Sequence, residues 1–146
     1  MLSPPTAIKY VVVSWTIFYI LAVLFGAPIF SDIIATAVLA AALTLVSVIP
    51  AVLLFDSEER ALEVLILGGT SGATIKESIL LSTSVFALLS AWASAAVHPL
   101  DWDRWWQRYP LPSLFGCFAG ALLGLFIGIS RAYFNKKLAL KKSKKR

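Results

Sequence analysis

Four stretches of about twenty residues carry no charged side chain, and they constrain this chain more than any other feature. They are Tyr10–Ser31, Ile33–Phe55, Ser78–Val97 and Leu111–Ser130. A hydrocarbon layer of about 30 Å needs roughly 20 helical residues to cross it, so each stretch is long enough for one crossing. A soluble domain must cover its core with more polar surface than 59% hydrophobic and 14% charged residues supply. No fifth stretch qualifies among the 146 residues. The expectation is a single membrane domain over 1–146, without room for a separate soluble one.

In lipid every backbone polar group needs an internal partner, which leaves helices or a closed barrel. Barrel strands alternate apolar and polar over about ten residues. Here Val11–Val13, Ile20–Phe25 and Ile79–Leu81 are apolar on consecutive positions. The pattern predicts an all-α integral membrane protein with about four transmembrane helices, at about 10–30, 33–55, 78–97 and 111–133, followed by a basic tail at 136–146. The first stretch could serve as a cleaved signal, with Lys9 before it and a cut near Gly26-Ala27. Phe25 before that point and Pro28 after it disfavour cleavage, so the first span is expected to be retained.

Orientation follows from Lys and Arg counted by side. With four spans, the N-terminus, the 56–77 connection and the tail share one face and hold eleven of the thirteen positive residues. The other face holds only Arg104 and Arg108. Both termini are therefore expected in the cytoplasm, with the 98–110 loop lumenal. Most of the net charge of +5 lies in the tail beside a span. That placement reads as membrane anchoring on anionic lipid and not as nucleic-acid binding. The last residues, Lys142-Ser143-Lys144-Lys145-Arg146, also fit the K-x-K-x-x form of an endoplasmic-reticulum retrieval signal, through Lys142 and Lys144.

Chemistry-bearing residues are sparse. Cys117 is the only cysteine and His98 the only histidine. That excludes a disulfide framework and a Cys/His metal cluster. The two could be drawn as a dyad, though an interfacial histidine and a packed thiol are the plainer reading. Gly68-Gly69-Thr70-Ser71-Gly72 lacks the G-K-[ST] element of a phosphate loop and reads as a connector.

The last span has the sharpest packing signal. Gly116, Gly120, Gly124 and Gly128 recur every four residues and share one side of a helix. In lipid, close packing of small residues is a main source of helix association. Thr83, Ala87, Ala91 and Ala95 form a related stripe on the third span. The simplest expectation is that these two helices pack together; packing on a separate subunit is the functional alternative.

Residues 98–110 concentrate three tryptophans, a tyrosine and two charges of each sign at a membrane boundary. The plain reading is an aromatic-capped, internally paired turn. Arg104 and Arg108 could instead hold a phosphate. Asp101 and Asp103 could hold a cation, but an isolated D-x-D is a poor site without further oxygen ligands.

Leu100-Asp101-Trp102-Asp103-Arg104-Trp105-Trp106-Gln107-Arg108-Tyr109-Pro110 resembles the L-D-W-[DE]-R-P-W-Q-x-[WY]-P signature of the Pig-F family of glycosylphosphatidylinositol (GPI) anchor biosynthesis. Ala91-Trp92, Glu77, Phe25-Gly26-Ala27-Pro28, the glycine-rich last span and the basic tail extend the likeness from Val23 to the C-terminus. Trp105 stands where the family usually has proline. Members usually have further spans before the F-G-A-P segment, so the resemblance implies a short form. It also implies a multi-pass, non-catalytic subunit of the endoplasmic-reticulum membrane, without a cofactor or metal. Its partner would be a large alkaline-phosphatase-like transferase that adds ethanolamine phosphate to mannoses of the GPI precursor. Asp101, Trp102, Asp103, Arg104, Trp106, Gln107 and Pro110 would then contact that partner or a lipid. Two alternatives from other classes are a phosphatidylethanolamine-binding or lipid-presenting protein, and a small metal-dependent enzyme using Asp101 and Asp103.

Overall fold

The computed structural model describes residues 3–28, 30–55, 63, 74–100 and 103–143. Among these, four helices are long and apolar enough to cross a membrane: Pro4–Leu24, Ile33–Leu54, Ile75–Val97 and Leu111–Phe134. The glycine-rich connector at 68–72 lies outside the described residues.

Helix α1 (Pro4–Leu24) begins six residues before the start expected from charge alone, so Lys9 lies within it. Pro4 and Pro5 occupy its first positions, where a missing N–H is no loss and a fixed φ suits the helix. Its end is equally local. Gly26 takes φ +99°, donating from its N–H to the Val23 carbonyl at 3.0 Å, while Ala27 donates to Ala22 at 2.9 Å. These two bonds around a left-handed residue form the Schellman stop. The helix therefore closes at Leu24 and not at 30, and Phe25-Gly26-Ala27-Pro28 is a stop written into the sequence.

The second span is two pieces, α2 (Ile33–Ser47) and α3 (Ile49–Leu54), with the break just before Pro50. Proline has no N–H for the ladder, and its ring crowds the carbonyl four residues back. Helix α4 (Ile75–Ser94) opens with a capping box. The Thr74 N–H donates to Glu77 Oε2 at 2.8 Å, and the Glu77 N–H donates to Thr74 Oγ1 at 3.4 Å. Glu77 is thereby buried at the head of a span while satisfying an otherwise unpaired backbone donor. Helix α5 (Leu111–Ser143) runs 33 residues, beyond the apolar stretch and into the basic tail. Lys142 lies in its last turn; Lys144 lies outside the described residues.

Among the described residues, helices α4 and α5 make the most extensive pairing. They run antiparallel, because successive glycines on α5 meet earlier and earlier residues of α4. A Cβ added at Gly116 would strike Ser94 and the Ser90 carbonyl; at Gly120, the Phe86 carbonyl and the Ser90 side chain. At Gly124 it would strike the Ser82 carbonyl and come within 2.8 Å of the Thr83 Cα; at Gly128, within 2.7 Å of the Ile79 Cα. All four glycines thus admit the α4 backbone itself. The atoms nearest the glycines belong to Ile79, Ser82/Thr83, Phe86, Ser90 and Ser94, so of the small stripe on the third span Thr83 is the one that meets a glycine most closely. Ala87 and Ala91 join Leu39, Leu43 and Cys117 in the core between α2, α4 and α5.

Helix α1 packs on α2 and α3, whereas α4 packs on α2, α3 and α5. Trp15 fastens α1 to α2 by donating its indole N–H to the Ala37 carbonyl at 3.1 Å. Between α1 and α4 the walls part around a cavity of about 700 Å³.

Candidate functional site

The loop between α4 and α5 begins as α4 tightens into a 3₁₀ turn at Ala95–Val97, leaving carbonyls that α4 can no longer satisfy. Gln107 supplies one partner: its buried carboxamide donates to the Val97 carbonyl at 2.9 Å. His98 supplies the next bonds. Its Nδ1 lies 3.2 Å from the Gln107 carbonyl and its Nε2 lies 3.2 Å from Ser113 Oγ. A carbonyl can only accept, so Nδ1 carries the hydrogen in the first bond. The imidazole thus ties the end of the third span to both the loop and the first turn of the fourth.

Tyr109 extends this tie to the second span. Its ring packs edge-on against His98, centroids 5.3 Å apart, and its hydroxyl donates to Thr36 Oγ1 at 3.1 Å. Thr36 is fully buried and passes its own hydrogen to the Asp32 carbonyl at 3.2 Å. Burial pushes the Tyr109 phenol above the usual tyrosine value near 10, and the charge of Asp32 adds to the rise. The tether through the neutral phenol is therefore complete below the ordinary tyrosine range and fails only as pH climbs through the raised value.

The signature residues surround this frame. Asp101 and Trp102 lie outside the described residues. Asp103 has φ +46°, a left-handed conformation that aspartate tolerates better than most side chains. Arg104 is extended (φ −102°, ψ 141°) and precedes the 3₁₀ turn Trp105–Gln107. Trp106 is half-buried in that turn, and Pro110 is half-buried before α5. The Tyr109–Pro110 peptide bond is cis. Asp103, Arg104 and Arg108 are exposed and line a groove of about 490 Å³ together with His98, Leu100 and Gln107.

Trp105 occupies the first position of its turn after an extended residue, the backbone that proline at this position imposes. The turn forms here without it. Because Trp105 is 76% exposed, Trp105→Pro is expected to be accepted and to stabilise by about 0.5 kcal/mol through the unfolded chain. A thermal melt in detergent reads this as a midpoint at or above that of the parent protein.

Reading the sequence singled out the charged and indole side chains of the loop but passed over His98, Tyr109, Ser113 and Thr36 as its fasteners. A lone histidine carries no spacing signal, and its partner Ser113 lies fifteen positions away. Cys117 stands one turn beyond Ser113, in the apolar cluster with Ala87 and Ala91, and His98 bonds elsewhere. Among the described residues no three His, Cys, Asp or Glu side chains stand close enough to share a metal ion.

The cavity between α1 and α4 meets this loop at its polar end. Phe18, Leu21, Leu39, Leu43 and Leu88 are among its apolar walls, and His98, Tyr109 and Ser113 stand at its rim. Gly26–Pro28 also border it, so the first and third connections lie at the same end of the helices.

Comparison with known proteins identifies relatives throughout this architecture. The profile of "GPI biosynthesis protein family Pig-F" matches residues 4–129. The chain is 31% identical over 129 residues to the human "GPI ethanolamine phosphate transferase, stabilizing subunit", covering 88% of this chain and 58% of that protein. The mouse protein of the same name is 32% identical over 120 residues, 82% of this chain and 54% of its own length. The "Glycosylphosphatidylinositol anchor biosynthesis protein 11" of Debaryomyces hansenii is 35% identical over 107 residues, 73% of this chain and 45% of that protein. The chain thus spans about half the length of the curated relatives it matches. No solved structure matches it. With four apolar helices, the F-G-A-P stop and the loop signature inside the matched region, the chain belongs to the Pig-F family of GPI biosynthesis proteins.

Proposed function

We propose that this chain is a non-catalytic membrane subunit that stabilises an ethanolamine-phosphate transferase acting on mannose of the GPI precursor. The observation that carries the reading is its 31% identity, over 88% of the chain, to a human protein named as that stabilising subunit. The geometry supports it. His98, Gln107 and Tyr109 direct hydrogen bonds at backbone carbonyls and at Thr36 and Ser113, holding a loop in shape. Asp103, Arg104 and Arg108 are left on the outer surface of that loop. A rigid frame presenting exposed charges suits recognition.

In this reading the partner is the large, alkaline-phosphatase-like transferase, with membrane lipid as a second neighbour of the loop. The complex resides in the endoplasmic-reticulum membrane, with Lys142 and Lys144 as its retrieval signal and both termini cytoplasmic. Orientation has a direct test, because the native Cys117 is fully buried and Trp105 is 76% exposed. In sealed vesicles with the cytoplasmic side out, a Trp105→Cys protein is expected to resist an impermeant maleimide until the membrane is opened. Immediate labelling would reverse the topology.

Function is tested by recovering the chain from native membranes in mild detergent and measuring transferase activity on the same preparation. A large transferase should co-purify. Asp103→Asn keeps a side chain that also tolerates a positive φ, so it changes charge with little disturbance of the backbone. It is expected to lower recovery of the complex several-fold, with turnover per complex unchanged. A positioned acid or base supplies about 10²–10⁴-fold, so full assembly with turnover reduced by that factor would place catalysis in this chain.

A further inference from the structure

The cavity and the charged groove share one wall, His98. His98 lines both an apolar chamber of about 700 Å³ between α1 and α4 and a groove of about 490 Å³ that Arg104, Arg108 and Asp103 also line. Ligand pockets of a few hundred Å³ are characteristically apolar with a few convergent polar groups. Here the two characters are separated along one axis, apolar within the helical spans and charged at the end where the loop lies. That is the polarity profile of a membrane phospholipid in its own bilayer.

We infer that the two spaces form one glycerophospholipid site, with an acyl chain between α1 and α4 and the phosphate on Arg104 and Arg108. Among the described residues of the groove, the guanidinium groups of Arg104 and Arg108 stand with the carboxylate of Asp103, a setting that offers two cationic forks to an anionic head group. Guanidinium forks suit phosphate oxygens, and near the dry rim of a membrane the attraction is less screened than in water. The chamber is filled from the side. Helix α1 packs on α2 and α3, and α4 packs on α2, α3 and α5, so a chain enters between α1 and α4 without separating a packed pair. Phe25, Leu89 and Trp92 line that chamber and are 71%, 57% and 62% exposed, as expected of an entrance facing lipid.

This inference concerns the isolated chain and is independent of the transferase reading. The test uses the full chain in lipid nanodiscs doped with a phosphatidylcholine carrying a diazirine in mid-chain, against a diacylglycerol with the same labelled chain. After irradiation, adducts of the phospholipid are expected on cavity residues such as Phe18, Leu39 and Leu88, above those on the outward-facing Leu122 and Phe126 of α5. The pair Arg104→Gln and Arg108→Gln, both at exposed positions, should reduce phospholipid adducts in the cavity about ten-fold and leave diacylglycerol adducts unchanged. Ala22→Phe, which places a ring in the chamber, should reduce both probes. Adducts spread evenly over α5 and the cavity would overturn the site. Equal capture of the two probes, or indifference to the arginine pair, would overturn the assignment of the phosphate.

Discussion

Gly124→Leu is expected to remove most of the folded protein from the membrane while leaving insertion of the span intact. Leucine is more apolar than glycine, so transfer of the helix into lipid does not suffer. Association does. The first carbon of any side chain at this position meets the Ser82 carbonyl and comes within 2.8 Å of the Thr83 Cα, which are backbone atoms and cannot rotate away. Overpacking in a close-packed interior costs about 1–3 kcal/mol when neighbours can shift, and here the neighbour is another helix axis. Gly124→Ala should therefore already reduce abundance, unlike a substitution that meets only a flexible side chain. Steady-state protein level and protease resistance after membrane extraction measure the effect. Wild-type values for both variants would mean that α4 and α5 do not pack through this face.

His98→Ala is expected to release the loop with the spans still packed. The substitution removes the contacts to the Gln107 carbonyl and Ser113 and the edge-on packing against Tyr109. Each lost hydrogen bond is worth about 1 kcal/mol, and the groups left behind are partly buried, which raises the cost. About 2–3 kcal/mol is enough to let the Trp105–Gln107 turn open while α4 and α5 remain held by their glycines. Proteolysis within residues 98–110 should become fast in the variant, and partner recovery should drop at least as far as with Asp103→Asn. Retained protection of the loop would show that Gln107 and Tyr109 hold it alone.

The contrast between these two variants shows what could be read from the sequence. Spacing of charge sets the number of helices, because the hydrocarbon thickness is a fixed external length that each uncharged run either meets or does not. The glycine repeat was equally readable, since a period of four on a helix has one geometric meaning. The ends of the helices were less so. Charge placed the first span too late and ended it too late, whereas Pro4-Pro5 and Gly26 set its limits through backbone conformation. The Thr74-x-x-Glu77 pattern was present in the sequence as a capping box, but its acidic residue stood out only as a family feature. The fasteners of the loop were hidden for a different reason. His98, Ser113, Tyr109 and Thr36 lie far apart along the chain, and only folding of three spans brings them together.

Helix α5 outlasts the bilayer. Its 33 residues extend about 50 Å at 1.5 Å per residue, against a hydrocarbon layer of about 30 Å. The apolar portion ends at Phe134, and the helix continues through Ser143. Lys142 therefore stands about 12 Å further along the same axis, on a mast and not on a tether. A flexible tail samples a hemisphere and can meet a binding surface at any height within its reach. A mast meets it at one height, turning by about 100° for every residue inserted or deleted below the contact point. Adding a single alanine after Phe134 would leave the charge unchanged yet turn the rest of the helix, through Ser143, by about 100° around its axis.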